Sequence, residues 1–475
     1  MRLTADLLVE PDLAESWTVS EDGLTYTFTL REGATFSDGS PITSADVVAS
    51  LNHALDPSTG AWTGPYYLGL IAGASEMASS GAEGPDGTPM PVVTSLSGVK
   101  AVDDRTVEFG ITAPSAYFLS VLSLAPAKIA PASAAGAGDG KVTSGPFTLE
   151  AWNRGQGLVL APNANYWQPP DQIAKRNLIL NQDSETAYQL YRTGKLDIMG
   201  SQQNPVPAAR VAEVKGSPEF KSASAFNNRY VGFNNKLKPF DDVRVRQALA
   251  HAIDRETLAN VVLGGTVNPT GRILPAGFPG SELPIEELVF DPAAASQLLT
   301  DAGIDPAGFS FKLTYGVEGD NEKVVTVLQS MWQENLGIKV ELEPLELSTF
   351  SSRLNDTVQD PQNGLQAFYS VWGADYPDPQ NWLSLLLHTG AGNNNLMYSN
   401  AEFDQLTDEA DVIIGDFAKR AELYNKAEQL AVTEVAWLPL FNGQVNVLVR
   451  DCVKGVVVTG NGIGIPNYSE LAGCA

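Results

Sequence analysis

The segment between Phe309 and Leu342 constrains the possible folds more than any other part of this sequence. Residues 309–315 are typical of a strand, and residues 321–336 follow a helical pattern that stops at Gly337. Residues 338–342 then alternate apolar and charged side chains, as a half-buried strand does. A helix followed by a strand at this spacing predicts α/β units in the second half of the chain, so we expect an α/β fold.

The first half of the chain shows shorter patterns. Residues 24–30 alternate with a period of two and predict a strand, and Thr43 with Asp46 forms a capping-box pattern ahead of a helix. Residues 147–152 and 157–161 predict the two strands of a β-hairpin.

Residues 243–263 give the clearest helical pattern, and Gly264 with Gly265 predicts its end. Arg244, His251 and Arg255 fall on the polar side of this predicted helix. We therefore expect His251 to be a solvated surface residue and not a ligand.

The charge of the chain limits its partners. Its 475 residues include 30 basic and 56 acidic side chains, for a net charge of −26, and 43% of the residues are hydrophobic. This composition is typical of a globular protein, and the chain length favours about three domains. An acidic surface of this kind repels nucleic acid, so we expect no nucleic-acid partner. No apolar run approaches the roughly 20 residues that span a bilayer.

The only two cysteines, Cys452 and Cys474, lie close together in the sequence. One interpretation is a disulfide that ties down the last part of the chain, which requires an oxidising compartment. The other is two unrelated buried thiols. We expect no metal and no cofactor, since the three histidines, His53, His251 and His388, have no ligand spacing to the cysteines.

The usual catalytic signatures are missing from the sequence. It contains no Walker-type phosphate loop, no dinucleotide-binding glycine motif, no zinc helix of the His-Glu-x-x-His type and no Gly-x-Ser-x-Gly elbow. With three histidines, a nucleophile paired with a histidine is poorly supported. The sequence has many carboxylates, so it does not exclude a catalytic site in which two of them act as acid and base.

One stretch, residues 369–379, combines a short apolar strand with a loop that carries Trp372, Asp375 and two prolines. Loops at strand ends are where binding residues tend to lie. In one interpretation, Asp375 receives a cationic group of a ligand and Trp372 forms an apolar wall beside it. In the alternative, Asp375 is a turn or capping residue and Trp372 belongs to the core. Further along, Asn393 and Asn394 are candidates for amide hydrogen bonds to a ligand, or else belong to a solvated loop.

An ordered set of motifs resembles one known family. The chain resembles the family 5 extracytoplasmic solute-binding proteins of ABC importers, the class that binds oligopeptides, dipeptides and nickel. The resemblance extends from about residue 10 to 470. The matching motifs are DLAESW at 12–17, GLTYTFTLREG at 23–33, FSDGSPITSADVV at 36–48, SGPF at 144–147, NYW at 165–167, PFDDVRVRQA at 239–248, and YSN at 398–400 with FD at 403–404.

This resemblance implies a two-lobed fold of the type II periplasmic-binding-protein kind, with a hinge and an extra subdomain on lobe one. The expected division is 10–140 for the extra subdomain with part of lobe one, 141–230 for lobe one, 231–441 for the ligand lobe, and 442–475 for a return to lobe one. In this class, the ligand stabilises a closed state of the two lobes, which a membrane permease recognises.

The resemblance also implies a ligand site. In peptide-binding members, the Asp of a Trp-x-Ala-Asp-Tyr segment pairs with the α-ammonium group of the peptide, and Asp375 and Trp372 match it. We therefore expect a ligand-binding set of Trp372, Gly373, Ala374, Asp375, Tyr376, Asn393 and Asn394. Some members carry an Arg six residues before that Asp for the ligand carboxylate; here Tyr369 stands in that place, so the carboxylate contact is unassigned.

The predicted function is therefore capture of peptides outside the cytoplasmic membrane and delivery to an ABC permease with its ATPase subunits, and not an enzymatic reaction. We also expect a monomer. The resemblance implies a signal peptide or lipid anchor ahead of the first motif, and that pattern is missing from this sequence, so we expect a lipid anchor on residues upstream of Met1 to be the only contact with the membrane. Two alternatives are a binding protein of the same fold for a glycan, opine or chelated metal, and a carboxylate-based hydrolase.

Overall fold

The computed structural model describes residues 1–83, 88–134, 141–168, 173–181, 183–201 and 204–474. The chain divides into two compact units. Unit 1 contains Met1–Lys221, Asn446–Val458 and Ile463–Ala475, and unit 2 contains Ser222–Val445 and Thr459–Gly462. The ligand lobe predicted at 231–441 thus lies inside the longer stretch of unit 2. The predicted boundary at 140 falls outside the described residues.

Unit 1 is built mainly from short strands and helices in the first half of the chain. The elements up to residue 224 are β1 (Arg2–Leu3), β2 (Val9–Glu10), β3 (Ala14–Val19), β4 (Thr25–Leu30), α1 (Ser44–Leu55), α2 (Thr63–Leu68), α3 (Ala74–Ala78), β5 (Val99–Ala101), β6 (Thr106–Gly110), α4 (Phe118–Val121), β7 (Phe147–Asn153), β8 (Gly157–Pro162), β9 (Arg176–Ile179), α5 (Ser184–Arg192), β10 (Ile198–Met199), α6 (Ala208–Val214) and β11 (Phe220–Ser224).

Unit 2 has longer helices, and the chain then returns to unit 1. The elements after residue 224 are β12 (Asn227–Phe233), α7 (Val243–His251), α8 (Arg255–Thr257), β13 (Asn268–Pro269), α9 (Pro292–Asp301), β14 (Ser310–Gly316), α10 (Asn321–Leu336), β15 (Lys339–Leu345), α11 (Leu347–Gln359), β16 (Ala367–Gly373), α12 (Ser384–Leu387), α13 (Ala401–Asp411), α14 (Phe417–Thr433), β17 (Leu438–Asn442), β18 (Gln444–Val449), β19 (Val457–Thr459) and β20 (Gly462–Gly464).

The largest sheet of unit 1 is antiparallel, with the order β3-β4-β6-β5. Alternate residues of β4 are buried, as its period-two pattern predicts, and Tyr26 and Phe28 pack against Phe118 and Phe109. Helix α1 begins with the predicted capping box, in which Asp46 Oδ2 accepts a hydrogen bond from the Thr43 backbone N–H at 2.8 Å. These local signals therefore act as the sequence indicates.

Two further sheets have three strands each, with the orders β7-β8-β9 and β10-β18-β11. Strands β7 and β8 form the predicted hairpin. In the second sheet, the central strand β18 comes from much later in the chain and pairs Ile198 with Val449. A cavity of about 490 Å³ is lined by β9, by β10 and by residues near Leu471.

A six-stranded mixed sheet with the order β13-β17-β12-β16-β14-β15 forms the centre of unit 2. Strand β14 pairs in parallel with both β15 and β16, and α10 connects β14 to β15. The predicted α/β unit is therefore present. Buried residues from β12, β14 and α10, among them Phe233, Leu313 and Trp332, form the core against this sheet.

The single helix predicted over 243–263 is wrong, because the structure breaks it after α7. Asp254 has an extended backbone and begins a new helix: its carboxylate accepts hydrogen bonds from the Thr257 N–H at 3.0 Å and from Thr257 Oγ1 at 2.6 Å. Residues 258–262 continue as a π-helical turn. Arg255 consequently points inward and donates to the backbone oxygens of Pro439 and Leu288, while His251 stays partly exposed.

Cys452 and Cys474 are joined by a disulfide in the structure, with their Cα atoms 5.1 Å apart and a separation of 22 positions in the sequence. In the chain-entropy model, a loop of this length stabilises the folded state by about 3 kcal/mol. Within the described ranges, no helix has both the length and the apolar character needed to cross a membrane.

Candidate functional site

The candidate site lies where the parallel strands of unit 2 end. Strands β14, β15 and β16 run in the same direction, so their carboxyl ends at Gly316, Leu345 and Gly373 lie along one edge of the sheet. In α/β sheets, ligands bind outside the carboxyl ends of the strands. The loop that leaves β16 at this edge, residues 374–383, carries Asp375.

Asp375 is held in place by Asn381, six residues further along the same loop. The backbone N–H of Asp375 donates to Asn381 Oδ1 at 2.9 Å, and Asn381 Nδ2 donates back to Asp375 Oδ2 at 3.2 Å. Asp375 is half-buried, whereas Asn381 is fully buried. The two residues thus form a reciprocal pair that fixes the direction of the Asp375 carboxylate.

Trp372 is tied to the same asparagine. The indole Nε1–H donates to the backbone oxygen of Asn381 at 3.1 Å, and the side chain is half-buried. Ala374 donates its N–H to the backbone oxygen of Phe226 at 2.8 Å, which anchors the start of the loop to the segment before β12. Gly373 lies between these two anchors and is exposed.

The last residues of β16 have one edge that no strand covers in the described part of the chain. Strand β12 pairs with β16 along its whole length, from Phe233 opposite Ala367 to Asn227 opposite Gly373. Strand β14 pairs only with residues 367–369. The backbone of residues 370–373 therefore has no strand partner on that side within the described residues.

The remaining predicted residues have different surroundings. The Tyr376 hydroxyl donates to Gln380 Oε1 at 2.5 Å within the 374–383 loop, and Tyr376 is buried. Asn393 is half-buried. Asn394 is almost completely buried, and its Nδ2 lies within hydrogen-bond distance of three backbone oxygens, the nearest being that of Tyr398 at 2.8 Å. The Asn394 side chain therefore holds its own loop together.

A buried ion pair anchors the 374–383 loop to helix α14. Asp378 and Arg420 are both about 5% exposed and form a two-pronged contact, with Nη1 and Nη2 of Arg420 at 2.9 and 2.8 Å from the carboxylate oxygens. Asp378 Oδ1 also accepts from the Gln380 N–H at 3.0 Å and so caps the 3₁₀ turn that carries Asn381. Removal of either charge would leave the other buried without its partner.

The polar network continues behind this pair. Arg420 Nη2 donates to the Tyr424 hydroxyl at 3.2 Å, and that hydroxyl donates in turn to Asp411. Ser384 Oγ, at the start of α12, donates to Asp411 at 2.9 Å. Burial raises the pKa of Asp411 to about 7, and these hydrogen bonds offset part of the increase.

The sequence patterns missed Asn381, Asp378 and Arg420. An Asp followed by Pro is a turn-starting signal, and it was available at Asp378. The partner Arg420 lies 42 positions away in sequence, and no local pattern indicates it. Asn381 becomes visible only when the turn folds back on Asp375.

The family model for bacterial extracellular solute-binding proteins, family 5 Middle, matches residues 9–394. The chain belongs to this family, whose members are binding proteins for transport, and the two-lobed α/β fold is its fold.

The chain is also similar to individual proteins of known sequence or structure. It is 29% identical to the oligopeptide-binding protein OppA of Bacillus subtilis, over 97% of this chain and 84% of that protein. It is 31% identical to the periplasmic OppA of Salmonella typhimurium (91% and 78%) and 28% identical to heme-binding protein A of Haemophilus influenzae (94% and 82%). The crystal structure of Haemophilus influenzae OppA in complex with RPPGFSPFR matches with 26% identity and a TM-score of 0.68, over 99% of this chain and 90% of that one.

Proposed function

We propose that this protein captures peptides outside the cytoplasmic membrane, by hinge closure of its two lobes, and delivers them to an ABC permease with its ATPase subunits. The observation that carries the proposal is the oriented, half-buried carboxylate of Asp375 beside Trp372 at the carboxyl end of β16. Support also comes from the OppA relatives, which are named for oligopeptide binding.

In this proposal, Asp375 receives the α-ammonium group of the peptide. An ammonium group that leaves water needs an opposite charge, and a charge-assisted hydrogen bond to a carboxylate supplies it. The indole ring of Trp372 forms an apolar wall next to this charge. Because Asn381 already fixes the carboxylate, the peptide does not have to order it on binding.

The peptide backbone then pairs with residues 370–373. Main-chain hydrogen bonds recognise any peptide sequence, so the side chains of the ligand can vary. Gly373 and Asn393 would contact the ligand from their partly or fully exposed positions. Ala374, Tyr376 and Asn394 would contribute by holding the two loops in shape, since their polar groups bond within the protein.

We also propose that the protein acts as a monomer, that it releases its peptide unchanged, and that lipid anchorage is its only contact with the membrane. The absence of turnover is testable directly. A peptide recovered after long incubation with the protein should have its original mass.

The first test is native mass spectrometry of the purified protein. We expect extra mass that resolves into short peptides.

The second test is calorimetry with tri-alanine and N-acetyl-tri-alanine, because acetylation removes the positive charge of the amine. A lost charged hydrogen bond should weaken binding about 10- to 100-fold, and Asp375→Asn should remove the difference between the two peptides. Equal binding of both peptides to the wild-type protein would refute the role of Asp375, and bound heme or glycan would refute the peptide assignment.

A further inference from the structure

We propose that Asn381 is the positioning residue that sets the selectivity of this site for a free amine. The inference rests on the proposed function, since it concerns how the Asp375 carboxylate distinguishes an ammonium group from a neutral amide. Asn381 touches no ligand in this proposal and acts through Asp375 and Trp372.

Three hydrogen bonds from one residue carry the proposal. The Asn381 side chain accepts from the backbone N–H of Asp375 at 2.9 Å and donates to Asp375 Oδ2 at 3.2 Å. Its backbone oxygen accepts from Trp372 Nε1 at 3.1 Å. A single fully buried asparagine therefore fixes both groups that the proposed function assigns to the ligand amine.

The chemistry of the amide suits this task. A carboxamide carries a donor and an acceptor on adjacent atoms, so it can bond to the main chain and to the carboxylate of the same aspartate. Because the amide is neutral, it orients the carboxylate without neutralising its negative charge. A lysine or arginine in this place would orient the carboxylate and also compensate its charge, which would weaken the attraction for an ammonium group.

Asn381 is itself held rigidly. It ends the 3₁₀ turn Pro379–Asn381, which Asp378 caps, and the buried pair of Asp378 with Arg420 fastens that turn to α14. Within the low dielectric of this buried cluster, such hydrogen bonds are strong and costly to break. The position of the Asp375 carboxylate thus depends on a chain of contacts that reaches α14.

The test compares the affinities of tri-alanine and N-acetyl-tri-alanine in three proteins at pH 7. In the wild-type protein, we expect the free peptide to bind about 10- to 100-fold more tightly. In Asn381→Ala, this preference should fall to about threefold or less, while the affinity for the acetylated peptide changes little, since only the charged contact depends on the carboxylate direction.

The matched control is Asn234→Ala. Asn234 is also fully buried in unit 2, and its Nδ2 bonds to the backbone oxygens of Pro361 and Leu365. It follows β12 at the end of β16 that lies away from the site. The same chemical change there should lower stability and leave the preference for the free amine intact. An unchanged preference in Asn381→Ala, or an equal loss for both peptides, would overturn the inference.

A second variant, Asn381→Asp, covers the case in which Asn381→Ala does not fold. This change keeps the size of the side chain but places a second carboxyl group against Asp375, and two such groups cannot both ionise freely. The affinity for tri-alanine should then depend on pH more strongly in this variant than in the wild-type protein. A flat profile in this variant would contradict the positioning role. Equal binding of both peptides to the wild-type protein would instead refute the proposed role of Asp375, on which this inference rests.

Discussion

Two asparagine-containing loops of unit 2 flank the short helix α12, and they use the same side chain for different purposes. In the 374–383 loop, the amide of Asn381 bonds to Asp375, which we propose as the group that receives the peptide amine. In the loop formed by residues 388–398, the amide of Asn394 bonds only to backbone groups of its own surroundings. Both asparagines are buried, so burial alone does not separate a positioning residue from a structural one; the identity of the bonded partner does.

The largest effect should come from the anchor of the 374–383 loop. Arg420→Met would leave Asp378 buried without its cation, and we expect a loss of about 3–5 kcal/mol in the free energy of unfolding, measured with urea. The preference for free over acetylated tri-alanine should fall at the same time. The control Arg272→Met breaks the other buried pair of unit 2, with Glu428. It should destabilise the protein but keep the preference, and if both variants lost it, the loop anchor would have no special role.

Removal of the second asparagine should affect stability alone. In Asn394→Ala, backbone oxygens at the end of α12 and the Tyr398 N–H lose their partner, so we expect a decrease of about 1–3 kcal/mol in the free energy of unfolding. Asn363→Ala, at an exposed turn, should change it by less than about 0.5 kcal/mol. A changed preference for the free amine in Asn394→Ala would mean that the two loops do not differ in the way described.

The pH dependence of stability should show the buried network behind the first loop. Burial raises the pKa of Asp411 to about 7, from an ordinary value of 3.8. Between these two pH values the folded protein holds a proton that the unfolded chain has released, so stability contributed by this group falls as the pH rises from about 4 to 7. Urea midpoints at pH 5 and 7.5 should differ accordingly, and Asp411→Asn should make that difference smaller. An identical difference in the variant would assign it to other groups.

The smallest effect should follow Trp372→Phe, which removes the indole N–H but keeps an aromatic wall. Loss of one neutral hydrogen bond to the Asn381 backbone oxygen predicts about a two- to tenfold weaker binding of tri-alanine. The control Trp152→Phe changes an exposed tryptophan of β7 in unit 1 and should leave binding unchanged. If tri-alanine binding were unchanged in Trp372→Phe, the positioning role of Asn381 would be limited to the Asp375 carboxylate.

Local signals in the sequence predicted local structure well. The capping box at Thr43, the hairpin of β7 and β8, and the β14–α10–β15 unit each depend on residues close together in the chain, and each is present. The break at Asp254 was missed because apolar periodicity outweighed a capping pattern, Asp254 with Thr257, that is visible in the sequence. Sheet orders such as β17-β12-β16 depend on partners far apart, which no periodicity reveals.

The same distinction applies to the site. Asp375 and Trp372 stand out because an aromatic ring near the end of a strand is followed closely by a charge in the next loop. Arg420 does not stand out, because its pairing with Asp378 exists only after α14 has packed against the loop. Sequence patterns therefore indicate the groups that we propose to contact a ligand more readily than the groups that hold them in position.

The late arrival of β18 in the sheet β10-β18-β11 determines an order of events during protein synthesis. All six strands of the large sheet of unit 2 lie before residue 443, whereas β10 and β11 need β18, residues 444–449, between them. Whether this protein folds during synthesis or after export, its chain appears from the amino terminus, and domains generally fold as units. The first half of the chain is made earliest, yet unit 1 must wait with an open sheet until all the strands of the unit 2 sheet have been synthesised.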